Sequence, residues 1–324
     1  DPTSTVVFDR NGILLAAQIA DDGQWRFPKS DSVPYKFKTA ITQFEDRTFQ
    51  DHLGISIRGL GRAVKQNLQN NKRVSGGSTI TMQIMRMSRK NKSRNLWQKI
   101  VEMAMATRSE FRYSKDELMN LYASNAPMGG NVVGLNAAAW RYFGRNSHQL
   151  SWAESATLAV LPNAPSLMHP GKNRDALIAK RNRLLDRLYE INEIDKTTWE
   201  LAKLEPLPEK PYPLPQEATH FLTRVLNDNR KGTLVNSTLD LPIHQFAKET
   251  VARHYERLSQ NEIYNAAVLV MDIESGEVLA YVGNTPTDDE HDAAVDVIRA
   301  PRSTGSILKP FFYNAMMESG EITP

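Results

Sequence analysis

Five prolines fall within ten residues of this chain, at Pro206, Pro208, Pro211, Pro213 and Pro215. Proline fixes φ and has no backbone N–H, so neither a helix nor the interior of a sheet can run through such a stretch. The segment divides the sequence into two styles. Before it, from about 35 to 203, apolar residues recur mostly at helical spacing. Ile80, Gln83, Ile84 and Met87 stand at i, i+3, i+4 and i+7, one face of a helix. Residues 94–113 and 115–124 read as two helices, the second opened by Ser114 with Asp116 and Glu117 in its first turn. Residues 151–161 predict an apolar helix that stops at Leu161-Pro162, and residues 173–191 a basic amphipathic one. After the prolines, 266–273 and 278–283 are strand candidates joined by Glu274-Ser275-Gly276-Glu277 as a hairpin. At the other end, residues 5–20 alternate around the turn signal Asp9-Arg10-Asn11-Gly12. The expected organisation is an N-terminal β segment over 1–34, a mainly α domain over 35–205, a stiff linker over 206–217 and an α+β domain over 218–324.

Composition narrows the class. With 40% hydrophobic and 24% charged residues the chain is globular rather than disordered. It has no cysteine, which excludes a disulfide framework and thiolate metal sites. No run of about 18 apolar residues occurs, the length a bilayer span needs. The chain opens at Asp1-Pro2 and stops at Pro324 shortly after an apolar segment, so it is expected to be a fragment whose upstream anchor has been removed.

The charge is unevenly placed. Between His52 and Val101 there is no acidic residue, yet eleven basic ones: Arg58, Arg62, Lys65, Lys72, Arg73, Arg86, Arg89, Lys90, Lys92, Arg94 and Lys99. Since the whole chain is +3 and this window +11, the remainder sums to about −8. A cleft lined by one sign recruits the opposite charge, so the window predicts an anionic partner. Nucleic acid is disfavoured, because no reading motif accompanies the cations and net charge is small. Ser75-Gly76-Gly77-Ser78-Thr79 leads into the helix at Ile80, an arrangement that lets backbone N–H groups approach an anion. Lys99 and Glu102 are i, i+3 neighbours, open to two readings: a solvated ion pair, or a phosphate clamp with a carboxylate beside it. The pair Glu45-Asp46 is either a charged helix end or the source of a general base.

The motifs resemble a known family. Glu45-Asp46-Arg47-Thr48-Phe49-Gln50-Asp51-His52-Leu53-Gly54 looks like EDxxFxxHxG, the first motif of glycosyltransferase family 51. Gly76-Gly77-Ser78-Thr79-Ile80-Thr81-Met82-Gln83 resembles the second, GGSTIxxQ. Lys99-Ile100-Val101-Glu102 fits the third, (R/K)KxxE, with Gln98 in place of the first basic residue. Leu161-Pro162-Asn163-Ala164-Pro165-Ser166 matches the late LPxAPS element. Tyr122-Ala123-Ser124-Asn125-Ala126-Pro127-Met128-Gly129-Gly130 departs from the common YLNxxYFG and resembles the 1C-like subgroup of class A penicillin-binding proteins.

The resemblance implies a mainly α, lysozyme-like domain that polymerises lipid II into glycan strands, with inversion at the donor anomeric carbon. It implies Glu45 as the base, Glu102 as the carboxylate assisting pyrophosphate departure, and Arg62, Arg86, Arg94 and Lys99 as pyrophosphate-holding cations. Ser78 and Gln83 become polar cleft residues. A divalent cation, Mg or Mn, is the one cofactor it allows. Expected partners are lipid II, the growing lipid-linked chain, the membrane surface and moenomycin-type inhibitors, at the periplasmic face of a bacterial inner membrane. Residues 55–74 mix apolar positions with cations, as an interfacial segment does, or as an ordinary amphipathic helix does.

In the second domain Ser306-Ile307-Leu308-Lys309 is an SxxK, a serine one helical turn before a lysine that can act as its base. With the hairpin upstream and Thr238-Leu239-Asp240, it resembles the start of a penicillin-binding transpeptidase domain. Ser306 would be the nucleophile and Lys309 its activator. The SxN and KTG motifs of that family are not present, so transpeptidation and β-lactam acylation are expected only in a complete domain. Two other readings stay open: a non-catalytic binding module for anionic glycolipid, and a lysozyme-type hydrolase.

Overall fold

The computed structural model describes residues 1–29, 32–57, 59, 61, 77–89, 95–163, 170–301 and 303–323. The chain divides into two compact units, Asp1–Leu241 and Pro242–Pro324. In the first, the alternating N-terminal run forms β1 (Thr5–Phe8) and β2 (Leu14–Gln18), paired antiparallel with a register shift between Val7 and Phe8. Asp9 closes the turn by accepting from the backbone N–H of Asn11 at 2.8 Å and of Ile13 at 2.7 Å. Two short strands, β3 (Trp25–Arg26) and β4 (Val132–Val133), pair in parallel.

Eight of the α-helices described in this unit carry its core. They are α1 (Tyr35–Glu45), α2 (Ile80–Ser88), α3 (Leu96–Glu110), α4 (Lys115–Asn125), α5 (Leu135–Phe143), α6 (Trp152–Val160), α7 (Arg174–Glu190) and α8 (Lys196–Leu204). α1 packs on α6 and α7, and α2 packs on α3 and α4. Phe37, Ile41, Phe49, Ile80, Met82, Leu118 and Leu158 sit in one buried cluster. The starts of α4 and α6 follow from local sequence: Ser114 with Glu117, and Ser151 with Glu154, form capping boxes in which side chain and backbone satisfy each other's free donors.

The proline segment is extended, as expected, but it does not separate two bodies. Helical arginines hold its start: Arg174 donates to Leu207 O at 3.1 Å, and Arg181 to the carbonyls at the end of α8 just before it, Lys203 O at 3.1 Å and Glu205 O at 2.6 Å. Tyr212 N donates to Arg141 O at 2.8 Å. Prolines remove donors, not acceptors, so such a strand binds to a surface that supplies N–H groups. Beyond it, α9 (Thr219–Asn227) packs on β1 and β2. Then β5 (Leu234–Asn236) joins the first sheet in parallel, Val6 opposite Leu234, giving the order β2-β1-β5. The compact unit therefore continues to Leu241, past the boundary expected near 205–217.

The second unit contains α10 (Leu241–Leu258), the antiparallel hairpin β6 (Val268–Met271) and β7 (Val278–Val282), and α11 (Lys309–Glu318). Its small core joins Ala247 and Val251 of α10 to Ala280 and Val282 of β7. No residue of α11 is buried.

Candidate active site

The first motif ends a helix and at once begins a tight polar junction. Glu45 is the last residue of α1, and Asp46 leaves helical geometry at φ −154°, ψ 78°. The carboxylates then part company. Asp46 Oδ2 accepts from the backbone N–H of Ile80 at 3.1 Å, and both its oxygens lie 3.0 Å from His52 Nε2. His52 Nδ1 in turn accepts from Gly54 N at 3.1 Å, so the ring carries its proton on Nε2 and donates to Asp46. Thr79 closes the circuit: its hydroxyl donates to Gly54 O at 2.7 Å and accepts from Met82 N at 3.1 Å. Free donors at the N-terminus of α2 are thus met by Asp46 and Thr79. The N-cap is Thr79, one residue after Ser78, and the anion at this helix end is the protein's own Asp46.

Gly54 has a positive φ of +81°, and a Cβ there would lie 2.7 Å from the carbonyl carbon of Ala106 on α3. Only glycine permits that approach. It presses the end of the motif against the helix that carries Glu102.

Glu45 faces differently. Its Oε2 accepts from Gln83 Nε2 at 2.7 Å, while Oε1 is buried and has no hydrogen-bond partner among the described residues. Burial pushes this carboxyl above the usual glutamate range; the Gln83 hydrogen bond and the charges of Arg86 and Lys180 oppose the shift, and Asp46 adds to it. Close by in electrostatic terms is Tyr122 of α4. Its hydroxyl is also buried without a partner among the described residues, and burial, then the Glu45 charge, hold its pKa well above the ordinary phenol value. A carboxylate set up this way has the chemistry a general base needs: desolvation raises its proton affinity, one oxygen is anchored and one is able to accept.

Of the residues singled out from sequence, Gln83 and Arg86 lie with Glu45 on one side of α2. Ser78 is half-buried just before that helix. Lys99 and Glu102 are on α3, packed against α2. Glu102 is only 7% exposed, which a solvated surface pair would not be. Arg62 and Arg94 lie outside the described residues, as do Arg58, Lys65, Lys72, Arg73, Lys90 and Lys92, most of residues 55–74, and Ala164-Pro165-Ser166. Ser306 and Lys309 belong to the second unit and are exposed. Sequence reading missed Lys180 of α7, which acts on Glu45 and donates to Asn163 at 2.8 Å. Its only signal was membership of the basic amphipathic stretch 173–191.

Comparison with known proteins identifies the family. The transglycosylase family model matches residues 13–189. Penicillin-binding protein 1C of Escherichia coli (strain K12) is 32% identical over 321 residues, covering 98% of this chain and 41% of that protein. Penicillin-binding protein 1B of the same strain is 30% identical over 328 residues, covering 95% and 39%. Penicillin-binding protein 1A of Mycobacterium tuberculosis is 28% identical over 337 residues, covering 98% and 40%. The chain thus spans about two fifths of the length of these relatives. A crystal structure of penicillin-binding protein 1A from Haemophilus influenzae aligns with a TM-score of 0.38 at 19% identity, covering 85% of this chain and 32% of that one, so the assignment stands on sequence. This chain belongs to the transglycosylase family, and its mainly α unit is the peptidoglycan glycosyltransferase domain of a class A penicillin-binding protein.

Proposed function

We propose that this domain polymerises lipid II, with Glu45 as the base. The observation that carries the reading is the Glu45 carboxyl, anchored through Oε2 to Gln83, with Oε1 buried and unpartnered beside Arg86 and Lys180. The acceptor's 4-hydroxyl would give its proton to Oε1 as its oxygen attacks the donor's C1. The bond from C1 to the pyrophosphate breaks, and the lipid pyrophosphate leaves with the electron pair. Attack opposite the leaving group inverts the anomeric carbon. Fixed cations stabilise the charge that develops on the leaving oxygens. Arg86 and Lys99 are the described candidates, with Arg62 and Arg94 assigned the same role by resemblance.

Glu102, buried on α3, suits a carboxylate partner of a divalent cation. The described residues contain no group of three Asp, Glu or His able to hold a metal alone. Glu102 is the residue that would hold Mg or Mn, since Mg is usually bound through only one or two protein carboxylates. The ion would supply charge to the leaving group.

The polyprenyl chain of the substrate requires the cleft to meet a membrane surface, at the periplasmic face. Leu53, Ile57, Trp97 and Ile100 are exposed apolar residues near the motif loop and the start of α3, and they support that contact. No helix among the described residues is long and apolar enough to cross a membrane. Moenomycin-type inhibitors would occupy the donor side. The second unit we take as the beginning of a transpeptidase domain, with Ser306 and Lys309 as nucleophile and base, and β-lactams as ligands once that domain is complete.

Labelled lipid II tests the reading. Wild type should build glycan chains that moenomycin blocks, and Glu45→Gln should bind substrate without polymerising it. Equal rates in the two would remove Glu45 from the reaction. Cleavage of preformed glycan in place of growth would identify a lysozyme-type hydrolase.

A further inference from the structure

One buried ion pair has no part in the chemistry above. Lys115, the first residue of α4, ion-pairs with Glu110, the last residue of α3, at 2.7 Å. The Glu110 side chain is 2% exposed and that of Lys115 20%. Neither group is idle on its other side. Thr81 of α2 donates its hydroxyl to Glu110 Oε1 at 2.6 Å. Lys115 Nζ donates to the backbone carbonyl of His52 at 2.7 Å and stands 4.6 Å from the centre of the Phe49 ring. Three helices and the motif loop 46–54 are therefore tied together through two charges. A buried pair costs desolvation, which is offset only when hydrogen bonds satisfy the remaining donors and acceptors, as these do. Such pairs are often no more stabilising than an apolar replacement, so this one directs attention to the geometry it fixes.

We propose that Lys115 and Glu110 are positioning residues for the glycosyl transfer, fixing the loop from Asp46 to Gly54 on α2 so that Glu45 meets Gln83. The connection is short. Lys115 holds the His52 carbonyl, the His52 ring holds Asp46, and Asp46 follows Glu45 and caps the helix that carries Gln83. Freeing the loop leaves substrate-holding cations in place but lets Glu45 drift toward solvent. This rests on Glu45 being the base, and the test separates the two claims.

The groups facing Glu45 are Gln83 and Arg86 from α2, Lys180 from α7, Tyr122 from α4 and Asp46 beside it. Loosening that enclosure lets the carboxyl return toward its ordinary range. The double variant Lys115→Met/Glu110→Gln removes both charges and leaves no buried ion unpaired. It should lower kcat in lipid II polymerisation by about 10- to 100-fold with KM little changed. The acid limb of its pH–rate profile should move to lower pH. Thr81→Val, a milder cut in the same chain, should move both readouts a few-fold in the same sense, and Lys115→Arg should recover most of kcat. A wild-type kcat and acid limb in folded Thr81→Val or in the double variant overturns the proposal. So does a fall in kcat with the acid limb unmoved, which a merely structural role would give. If instead Glu45→Gln polymerises at the wild-type rate, the base assignment is what fails.

Discussion

Two reactive-residue pairs stand in this chain in opposite conditions. Around Glu45 the polar neighbours are enclosed and mostly paired: Gln83 on Oε2, Asp46 on His52 and Ile80, Thr79 on Gly54. Around Ser306, the SxxK serine lies in the turn before α11, and Lys309 N donates to its carbonyl at 3.0 Å. Both side chains are exposed, as are Ile307, Leu308, Phe311 and Phe312 beside them. Spacing is equally good in the two places; enclosure is not. A nucleophile or base acquires its altered proton affinity from desolvation and fixed neighbours, and Glu45 has both.

The contrast is open to direct attack. Its largest expected effect is on turnover. Glu45→Gln should lower polymerisation by about 10²- to 10⁴-fold, the usual worth of a general base, whereas Ser306→Ala should leave it unchanged. Both are read with labelled lipid II. Next come the glycines. Gly54 and Gly305 both have positive φ, +81° and +55°, but a Cβ on Gly54 meets backbone at 2.7 Å while one on Gly305 meets nothing within 4 Å. Gly305→Ala should cost about 1 kcal/mol for the left-handed backbone alone, and Gly54→Ala about 3 kcal/mol in total. Denaturant melts would measure the gap, and equal costs would mean that the loop tolerates separation from α3.

A third effect concerns Arg86, whose charge holds the Glu45 carboxyl down against burial. Arg86→Ala should weaken donor-side binding about 10-fold, near 1.4 kcal/mol, and shift the acid limb of the rate profile upward. The smallest effect is on stability. Because folding raises the Glu45 pKa, protonated Glu45 favours the native state below the unfolded value. That contribution is lost as pH rises through the folded value. Glu45→Gln should therefore be more stable than wild type at pH 7–8, by about 0.5–2 kcal/mol, the usual scale for relieving an active-site cost. The advantage should vanish under acid conditions. An inactive variant that is also more stable would confirm that Glu45 is held at a cost; Lys309→Met, on the open helix, should move neither activity nor stability.

Much of this was legible beforehand. The turn at Asp9-Gly12 and the helices at 115–124 and 173–191 came out within a residue or two, at Lys115–Asn125 and Arg174–Glu190. The hairpin at 266–283 did likewise. Each is set by neighbours a few positions apart. What escaped was non-local. β5 pairs with β1 across more than two hundred residues, and nothing in Leu234-Val235-Asn236 announces that partner. The proline segment was rightly read as extended, but its reception by Arg174 and Arg181 depends on where α7 presents them.

The sequence by itself determined which segments are helical, how they are capped, and the order of motifs that identifies the family, because periodicity, capping and turn chemistry act between near neighbours. Spacing alone left Glu45 and Asp46 equivalent, and only the resemblance to the family singled out Glu45. Only the tertiary structure buried one against Gln83 and made the other a helix cap, brought Lys180 into play from a helix 135 positions away, and joined Lys115 to the His52 carbonyl. Those roles depend on burial and on partners from distant segments, and packing alone brings such partners within hydrogen-bond reach.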